Sequence, residues 1–219
     1  MKTPAVVAQI GFIVVAAAAV YTFVGAAQKD MRRASCNALC KLAPSYAGTD
    51  RLAPDFELPD MDGKLVRLSS YRGKVVFLNF WTKTCGPCLE EMPSLVELAR
   101  VAKGRKDFVV ITISTDQGPA DVRDALKVAL GGSGELPFPV LFDPESKVVS
   151  EKFGTHLFPE TWVIDPAGVI RARFDGARDW STPLAVEVGN MAGNAGACPV
   201  EFFKSQPRGP FAGLCEDET

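Results

Sequence analysis

This sequence lacks an excess of basic residues, is poor in histidine and shows no internal repeat. Its 219 residues carry 24 Lys and Arg against 26 Asp and Glu, a formal net charge of −2, so the basic surface typical of nucleic-acid binding is not expected. His156 is the one histidine and Cys-x-x-Cys occurs once, which leaves no second ligand pair for a structural zinc site. We find no repeat, and this length suits one domain of ordinary size with tails.

What the chain does have is a long apolar run near its N-terminus. Residues 5–27 are almost all apolar, and as a helix they would span roughly 35 Å. The hydrocarbon core of a bilayer is about 30 Å thick, and a cleavable signal has an apolar core of only ~7–15 residues. We therefore expect an uncleaved membrane anchor, although the small residues Val24-Gly25-Ala26-Ala27 leave cleavage open.

Two features of the sequence disagree on which side of the membrane the remaining chain lies. Lys and Arg near the two ends of the apolar run weakly favour a cytoplasmic position. Six cysteines favour an oxidising compartment outside the cytoplasm. We give the cysteines more weight, since the charge signal amounts to a single residue.

The remaining chain predicts an α/β domain. Residues 53–58 and 65–68 alternate apolar and polar around Asp62-Gly63, a pattern typical of a β-hairpin. Strands alternating with helices and followed by an antiparallel pair indicate a mixed central sheet flanked by helices. Apolar patterning places strands at 74–80, 108–114, 140–142, 161–164 and 169–174, and helices at 86–102, 119–130, 144–153 and 182–191.

These patterns divide the chain into four parts. We expect an anchor over residues 1–28, a juxtamembrane linker over 29–51, the α/β domain over 52–191 and a tail over 192–219. The tail is rich in Gly and Pro and ends in the acidic run 216–218, so we expect it to be irregular.

The most informative feature is Cys85-Gly86-Pro87-Cys88, which follows a predicted strand and opens a predicted helix. Unpaired N–H groups and a partial positive charge at the helix start would lower the pKa of Cys85 from about 8.5 toward ~7 or below. Cys88, one turn inside, would resolve the mixed disulfide that Cys85 forms with a substrate. This predicts a thiol-disulfide oxidoreductase that needs no cofactor or metal; a purely structural disulfide or half of a zinc site is the alternative.

Three segments carry a resemblance to a known family. NFWTKTCGPCLEEMP (79–93) resembles the active-site segment of the thioredoxin superfamily, most closely that of the membrane-anchored TlpA/ResA-like thiol-disulfide oxidoreductases. APDF (53–56) with LSSYRGK (68–74), and PETWVID (159–165), resemble further motifs of that group. The resemblance implies a thioredoxin fold with an N-terminal β-hairpin extension, preceded by one transmembrane helix.

The resemblance also implies roles for individual residues. Pro159 would be a cis proline facing the cysteine pair, and the backbone at Phe158-Pro159 would pair with an extended substrate. Glu91 matches an acidic residue that lies near the active site of many relatives and tunes its protonation, with a solvated helix face as the alternative. The residues expected to contact substrate are Trp81, Gly86, Pro87, Phe158 and Pro159.

Two positions depart from the family pattern. Asn79 stands where thioredoxin has a buried aspartate that assists proton transfer, and an amide cannot titrate. Thr84 stands where most relatives have tryptophan, so the rim is more polar. We expect both to affect the reduction potential and substrate choice rather than the exchange chemistry itself.

The partners implied by the family are proteins. A reductant at the inner or cytoplasmic membrane, with its catalytic domain facing the periplasm or cell exterior, would act on protein disulfides, and apocytochrome c is a candidate. Re-reduction would need a DsbD- or CcdA-like membrane electron donor, since a single span cannot relay electrons itself.

Four further cysteines allow three pairings. Bonds from the region of Cys36 and Cys40 to Cys198 and Cys215 would clamp the two ends of the chain across the domain. Local bonds, Cys36–Cys40 and Cys198–Cys215, are the alternative.

Two other functions fit parts of the pattern. A copper-binding assembly factor could use His156 with Cys85 and Cys88, although an ordinary loop histidine is the simpler interpretation. A thiol peroxidase of the peroxiredoxin type is suggested by Thr-x-x-Cys ending at Cys85, but Leu78 occupies the place of the upstream proline in those proteins.

Overall fold

The computed structural model describes residues 4–47, 51–132, 136–194 and 197–216. Part of the expected linker, at 48–50, and residues 217–218 of the acidic run lie outside the described residues. The α-helices in these ranges are α1 (Pro4–Leu42), α2 (Gly86–Lys103), α3 (Pro119–Ala129) and α4 (Pro183–Gly193). The strands are β1 (Tyr46–Ala47), β2 (Glu57–Pro59), β3 (Leu65–Arg67), β4 (Val75–Trp81), β5 (Phe108–Ser114), β6 (Val140–Phe142), β7 (Glu160–Ile164), β8 (Ile170–Asp175), β9 (Glu201–Phe203) and β10 (Gln206–Arg208).

One mixed sheet organises the domain, in the order β10-β9-β1-β8-β7-β4-β5-β6. β4 runs parallel to β5 and antiparallel to β7, and every residue of β4 is buried. A strand with both faces covered is expected to be apolar throughout, which is why the VVFLNFW run marks the centre of the sheet. β2 and β3 form a separate antiparallel hairpin. The predicted mixed sheet with an N-terminal hairpin is thereby confirmed.

The two faces of the sheet are covered by different elements. On one face Phe77 lies in a cluster with apolar side chains of all four helices. On the other, Phe80 packs edge-on against Phe153, near the hairpin and a short π-helical segment at Lys147–Lys152. This segment lies within the predicted helix at 144–153.

The N-terminal helix joins the long apolar segment to the α/β domain. α1 is long and apolar enough, from Ala8 onward, to cross a membrane by length and composition. It continues without a break through the expected boundary between residues 28 and 29. Its last turns are buried in the domain, with Cys36 and Ala38 fully inaccessible.

The tail is more ordered than the sequence predicts. β9 and β10 form an antiparallel hairpin, and β9 also pairs with β1. The turn residues Lys204 and Ser205 have φ angles of 48° and 61°, a conformation in which glycine or asparagine is usual. The prediction of an irregular tail is wrong for this hairpin, because the turn lacks its ordinary sequence signal.

Candidate active site at the cysteine pair

The cysteine pair lies at the start of α2, as its spacing predicts. Cys85 is the N-cap residue, with extended backbone, and its Sγ accepts a hydrogen bond from the Cys88 N–H at 3.2 Å. The two cysteines are joined in a disulfide. Cys85 is half-buried and Cys88 is 1% exposed, so the Cys85 sulfur is the one that a substrate can reach.

The Phe158–Pro159 peptide bond is cis and lies beside the cysteine loop. Glu160 pairs with Phe80, which puts Pro159 next to the C-terminal end of β4, where the cysteine loop begins. Phe158 is half-buried, whereas the neighbouring Leu157 is 83% exposed. No pattern in the sequence selects Leu157, because exposed apolar side chains are common.

The structure corrects the expected substrate contact of Trp81. Trp81 is completely buried, within the apolar cluster that also contains Phe77 and Met92. As the last residue of a central strand, it directs its side chain to the face covered by helices rather than to the surface. A substrate cannot contact it in this conformation, whereas Gly86 and Pro87 are exposed.

Glu91 is a buried acid on α2, one turn beyond Cys88. It is 3% exposed, so the alternative of a solvated helix face does not hold. Its carboxylate accepts hydrogen bonds from the Trp180 indole N–H, from the Arg178 backbone N–H at 3.1 Å and from Asn79 Nδ2 at 3.2 Å. Burial raises the pKa of Glu91 to about 7, against the opposing effect of these three donors.

Asn79 belongs to the same buried network. Its Nδ2 also donates to Thr161 Oγ1 at 2.9 Å, which links β4 to β7 under the cysteine pair. Glu91 is therefore the titratable group in this network, as expected where Asn79 replaces an aspartate.

Asp116 is a residue of the site that sequence reasoning missed. Its carboxylate accepts from Thr82 Oγ1 at 2.9 Å, from the Lys83 N–H at 2.8 Å and from Ser114 Oγ at 2.8 Å. Asp116 is 7% exposed. Its hydrogen bonds to Thr82 and Lys83 fix the loop that leads to Cys85. A signal existed, because the carboxyl ends of parallel neighbours such as β4 and β5 meet at one edge of the sheet.

The other four cysteines form two bonds between α1 and the tail. Cys36 is bonded to Cys198 and Cys40 to Cys215. The long-range clamp predicted from the sequence is thereby confirmed, and the local pairing is not formed.

His156 is exposed. In the part of the chain that the structure describes, no group of three or more His, Cys, Asp or Glu side chains is placed to hold a metal ion.

Comparisons with known proteins agree on the fold and the chemistry of this region. The model of the AhpC/TSA family matches residues 49–173. Thiol-disulfide oxidoreductase ResA of Geobacillus thermodenitrificans is 33% identical over 124 residues, which cover 57% of this chain and 67% of that protein.

Two solved structures extend the similarity. A Chlorobium tepidum protein named as the thiol:disulfide interchange protein DsbE is 30% identical, with a TM-score of 0.54 over 67% of this chain and 99% of that one. The exposed lipoprotein thioredoxin Etrx1 of Streptococcus pneumoniae is 34% identical, with a TM-score of 0.51 over 62% of this chain and 98% of that one.

Proposed function

Because the chain belongs to the AhpC/TSA family and is a thioredoxin-like thiol-disulfide oxidoreductase, we propose that it reduces protein disulfides outside the cytoplasm. In this proposal residues 1–28 anchor it in the inner or cytoplasmic membrane and residues 52–191 face the periplasm or cell exterior. Residues 29–51 and 192–219, joined by disulfides, lie between the anchor and the catalytic domain. The long apolar helix and the two bonds between α1 and the tail support this arrangement, since disulfides persist in oxidising compartments.

The observation that carries the proposal is the Cys85 sulfur at the N-cap of α2, with the Cys88 N–H donating to it. The same N–H and the helix dipole stabilise a thiolate there in the reduced chain. The Cys85 thiolate attacks one sulfur of a substrate disulfide, forms a mixed disulfide and releases the other sulfur as a thiolate. Cys88 then attacks Cys85, which releases the second substrate thiol and closes the Cys85–Cys88 bond. Two electrons pass from the chain to the substrate.

Glu91 handles the proton of the second step in this scheme. Cys88 must lose its proton before it attacks, and it is buried at 1% exposure, away from bulk water. A carboxyl whose pKa is about 7 can accept that proton, directly or through a water molecule, near neutral pH. Asn79 cannot do so, because an amide does not titrate.

The substrate surface is assigned to the exposed residues around the pair. Gly86 and Pro87 are exposed beside Cys85, and the backbone at Phe158 offers polar groups to an extended segment of a substrate. Pro159 is itself buried and its carbonyl accepts from the Gly176 N–H at 2.9 Å, so it shapes this surface without offering a backbone group. Leu157, which is 83% exposed, adds an apolar contact. Among protein substrates, apocytochrome c is our specific proposal, with a DsbD- or CcdA-like protein re-reducing the pair.

Reduction of insulin disulfides by the dithiothreitol-reduced full chain in detergent tests this proposal. We expect turnover that is lost in Cys85→Ser, with the Cys40→Ser/Cys215→Ser variant as a control that keeps the active pair. Faster consumption of hydrogen peroxide than of insulin disulfides would overturn the proposal in favour of a peroxidase. Stoichiometric copper retained after dialysis, without insulin reduction, would overturn it in favour of an assembly factor.

The peroxidase alternative has a specific observation against it. The Thr82 hydroxyl, which begins the Thr-x-x-Cys pattern, donates to Asp116 and is engaged away from the Cys85 sulfur. Thr82 therefore supports the loop instead of serving the cysteine.

A further inference from the structure

Over the described residues 4–42, the apolar segment continues into the catalytic domain as one unbroken helix. α1 is one helix from Pro4 to Leu42, about 58 Å long at the usual rise per residue. Its first part is exposed, as a helix surrounded by lipid would be, whereas Cys36 and Ala38 are fully buried in the domain core. α1 also contacts α4 and the short 3-10 helix at Ala212–Leu214. The candidate membrane helix is therefore itself an element of the domain.

Two covalent bonds hold this junction on one face of α1. Cys36 and Cys40 are four residues apart and thus lie on the same side of the helix, about 6 Å along its axis. They bond to Cys198 and Cys215 of the tail, and the tail is fixed to the main sheet through the pairing of β9 with β1. One bond would permit the helix to pivot, but two bonds one turn apart resist both tilting and rotation.

A further contact lies closer to the apolar run. The Arg32 guanidinium lies over the Phe211 ring, 5.7 Å from its centroid, one helical turn before Cys36. From residue 28 to Cys36 the helix rises by only about 12 Å. The polar headgroup layer on each side of the hydrocarbon core is roughly 5–8 Å thick, so the domain core begins close above the membrane surface.

We propose that α1 is a rigid spacer that fixes the height and rotational orientation of the Cys85–Cys88 pair relative to the membrane. The redox partner that fits such a device is a protein embedded in the same membrane, because its thiols also keep a fixed height and orientation. A partner that diffuses freely gains nothing from a fixed orientation, and a flexible tether would serve it equally well. The identity of the partner rests on the proposed function, whereas the rigidity of the junction does not.

Time-resolved tryptophan anisotropy of the full chain in lipid nanodiscs tests the rigidity. Its three tryptophans all lie in the domain and are at most 1% exposed, so their anisotropy follows the tumbling of the domain. The wild-type chain is expected to decay slowly with the whole disc, whereas a Gly-Ser-Gly-Gly insert between Gln28 and Lys29 adds a fast decay. The same fast decay in the wild-type chain overturns the rigid spacer.

Alanine inserts at the same place test the consequence for the partner. Two alanines turn the domain by about 200°, whereas four add about one full turn and 40°. In membrane vesicles from the cells that carry the chain, alkylation measures how fast Cys85–Cys88 is re-reduced. The two-residue insert is expected to be slower than the four-residue insert by about tenfold or more, because it turns the pair away from the partner, whereas the four-residue insert restores the direction of the pair to within about 40° while adding about 6 Å in height.

Soluble dithiothreitol separates the two possible failures. It is expected to reduce the pair equally fast in all variants, because it approaches from any direction. Equal rates for the two alanine inserts in vesicles would overturn the fixed orientation. If vesicles fail to re-reduce even the wild-type chain, the proposed reductant cycle fails, while the anisotropy measurement still decides whether the spacer is rigid.

Discussion

Cys85 and Cys88 stand three positions apart, yet only the first is open to a substrate. Cys88 is 1% exposed, so its sulfur can reach the sulfur of Cys85 but not that of a separate protein. This difference in burial, together with the N-cap position of Cys85, gives the two thiols separate roles, attack and resolution.

The Cys88→Ser variant should therefore accumulate mixed disulfides through Cys85. Attack proceeds as before, but the step that releases the substrate is lost because serine cannot displace the bound sulfur. Mass spectrometry after incubation with oxidised insulin should find an adduct on Cys85, and the matched Cys85→Ser variant should form none. Absence of any adduct in Cys88→Ser would contradict the resolving role.

Glu91 should make the stability of the fold depend on pH. Its pKa rises from 4.5 to about 7 on folding, so between these values the folded state holds a proton that the unfolded state has lost. Stability is therefore highest at the acidic end of this window and falls by about 3 kcal/mol as the pH rises through it. Above about pH 7 both states are ionised and the dependence ends.

Glu91→Gln should abolish that part of the dependence. Urea unfolding of the oxidised chain at pH 5 and pH 8 should show a larger loss of unfolding free energy for wild type than for the glutamine variant. The amide keeps the volume of the side chain and remains neutral at both values. Parallel losses in the two proteins would show that Glu91 does not carry the raised pKa.

Asp116 should act as a positioning residue for Cys85. Asp116→Ala removes two hydrogen bonds from the cysteine loop, those of Thr82 and Lys83, and hydrogen bonds to a charged group contribute about 1.5–3 kcal/mol each. With a looser loop the Cys85 sulfur loses part of its stabilisation at the helix start, so its pKa should rise and alkylation at neutral pH should slow.

The pH profile of Cys85 alkylation in the reduced chain measures this effect. Asp121→Ala is the matched control, because Asp121 pairs with the Lys83 side chain and holds no backbone group of the loop. Asp116→Asn should restore part of the wild-type profile, since its amide oxygen still accepts from the loop. An unchanged profile in Asp116→Ala would reduce Asp116 to a purely structural role.

The clamp between α1 and the tail should contribute a large share of stability. The Cys36–Cys198 bond joins residues 162 apart, and closing such a ring contributes about 5 kcal/mol in the chain-entropy model. Once it is closed, the Cys40–Cys215 bond closes a further ring of only about 20 residues, which contributes about 3 kcal/mol.

Removal of either bond alone should therefore cost about 3 kcal/mol, and removal of both about 8 kcal/mol. Urea unfolding of Cys40→Ser/Cys215→Ser, of Cys36→Ser/Cys198→Ser and of the fourfold variant would measure these losses. The double loss should exceed the sum of the two single losses. A fourfold variant as stable as wild type would rule out the clamp.

Elements whose residues carry a strong local pattern were predictable from the sequence. β4 and β5 are apolar runs in the centre of the sheet, and α2 starts at a cysteine pair followed by helical spacing. β9 and β10 were not predictable, because they are three residues long and depend on pairing with β1, some 150 positions away in the chain. Their turn, at Lys204 and Ser205, also lacks the residues that usually mark a hairpin.

The chemistry of the site was more predictable than the contacts that hold its residues in place. The cysteine spacing predicts where the disulfide lies, and the resemblance implied the cis bond before Pro159. The complete burial of Trp81 and the contacts of Asp116 were not accessible, because they depend on which face of the sheet a side chain meets and on loops distant in sequence. Glu91 was selected through the resemblance to the family, but its pKa follows from burial and three donors that no sequence pattern displays.

For the whole molecule, the cysteine pair and its surroundings describe a thiol-disulfide oxidoreductase whose direction of exchange depends on one quantity. A reductant needs a dithiol that gives up electrons readily, and therefore a low reduction potential. In the proposed function, a separate membrane donor would then have to re-reduce the pair.

The measurement that tests this account most directly is the reduction potential of Cys85–Cys88 in the full chain. Equilibration across a dithiothreitol redox series, followed by alkylation and peptide mass analysis, assigns the value to this pair and not to the clamp. We predict a potential near or below about −250 mV, close to that of thioredoxin. A value near about −120 mV, typical of strong oxidants of folding proteins, would contradict the assignment as a reductant.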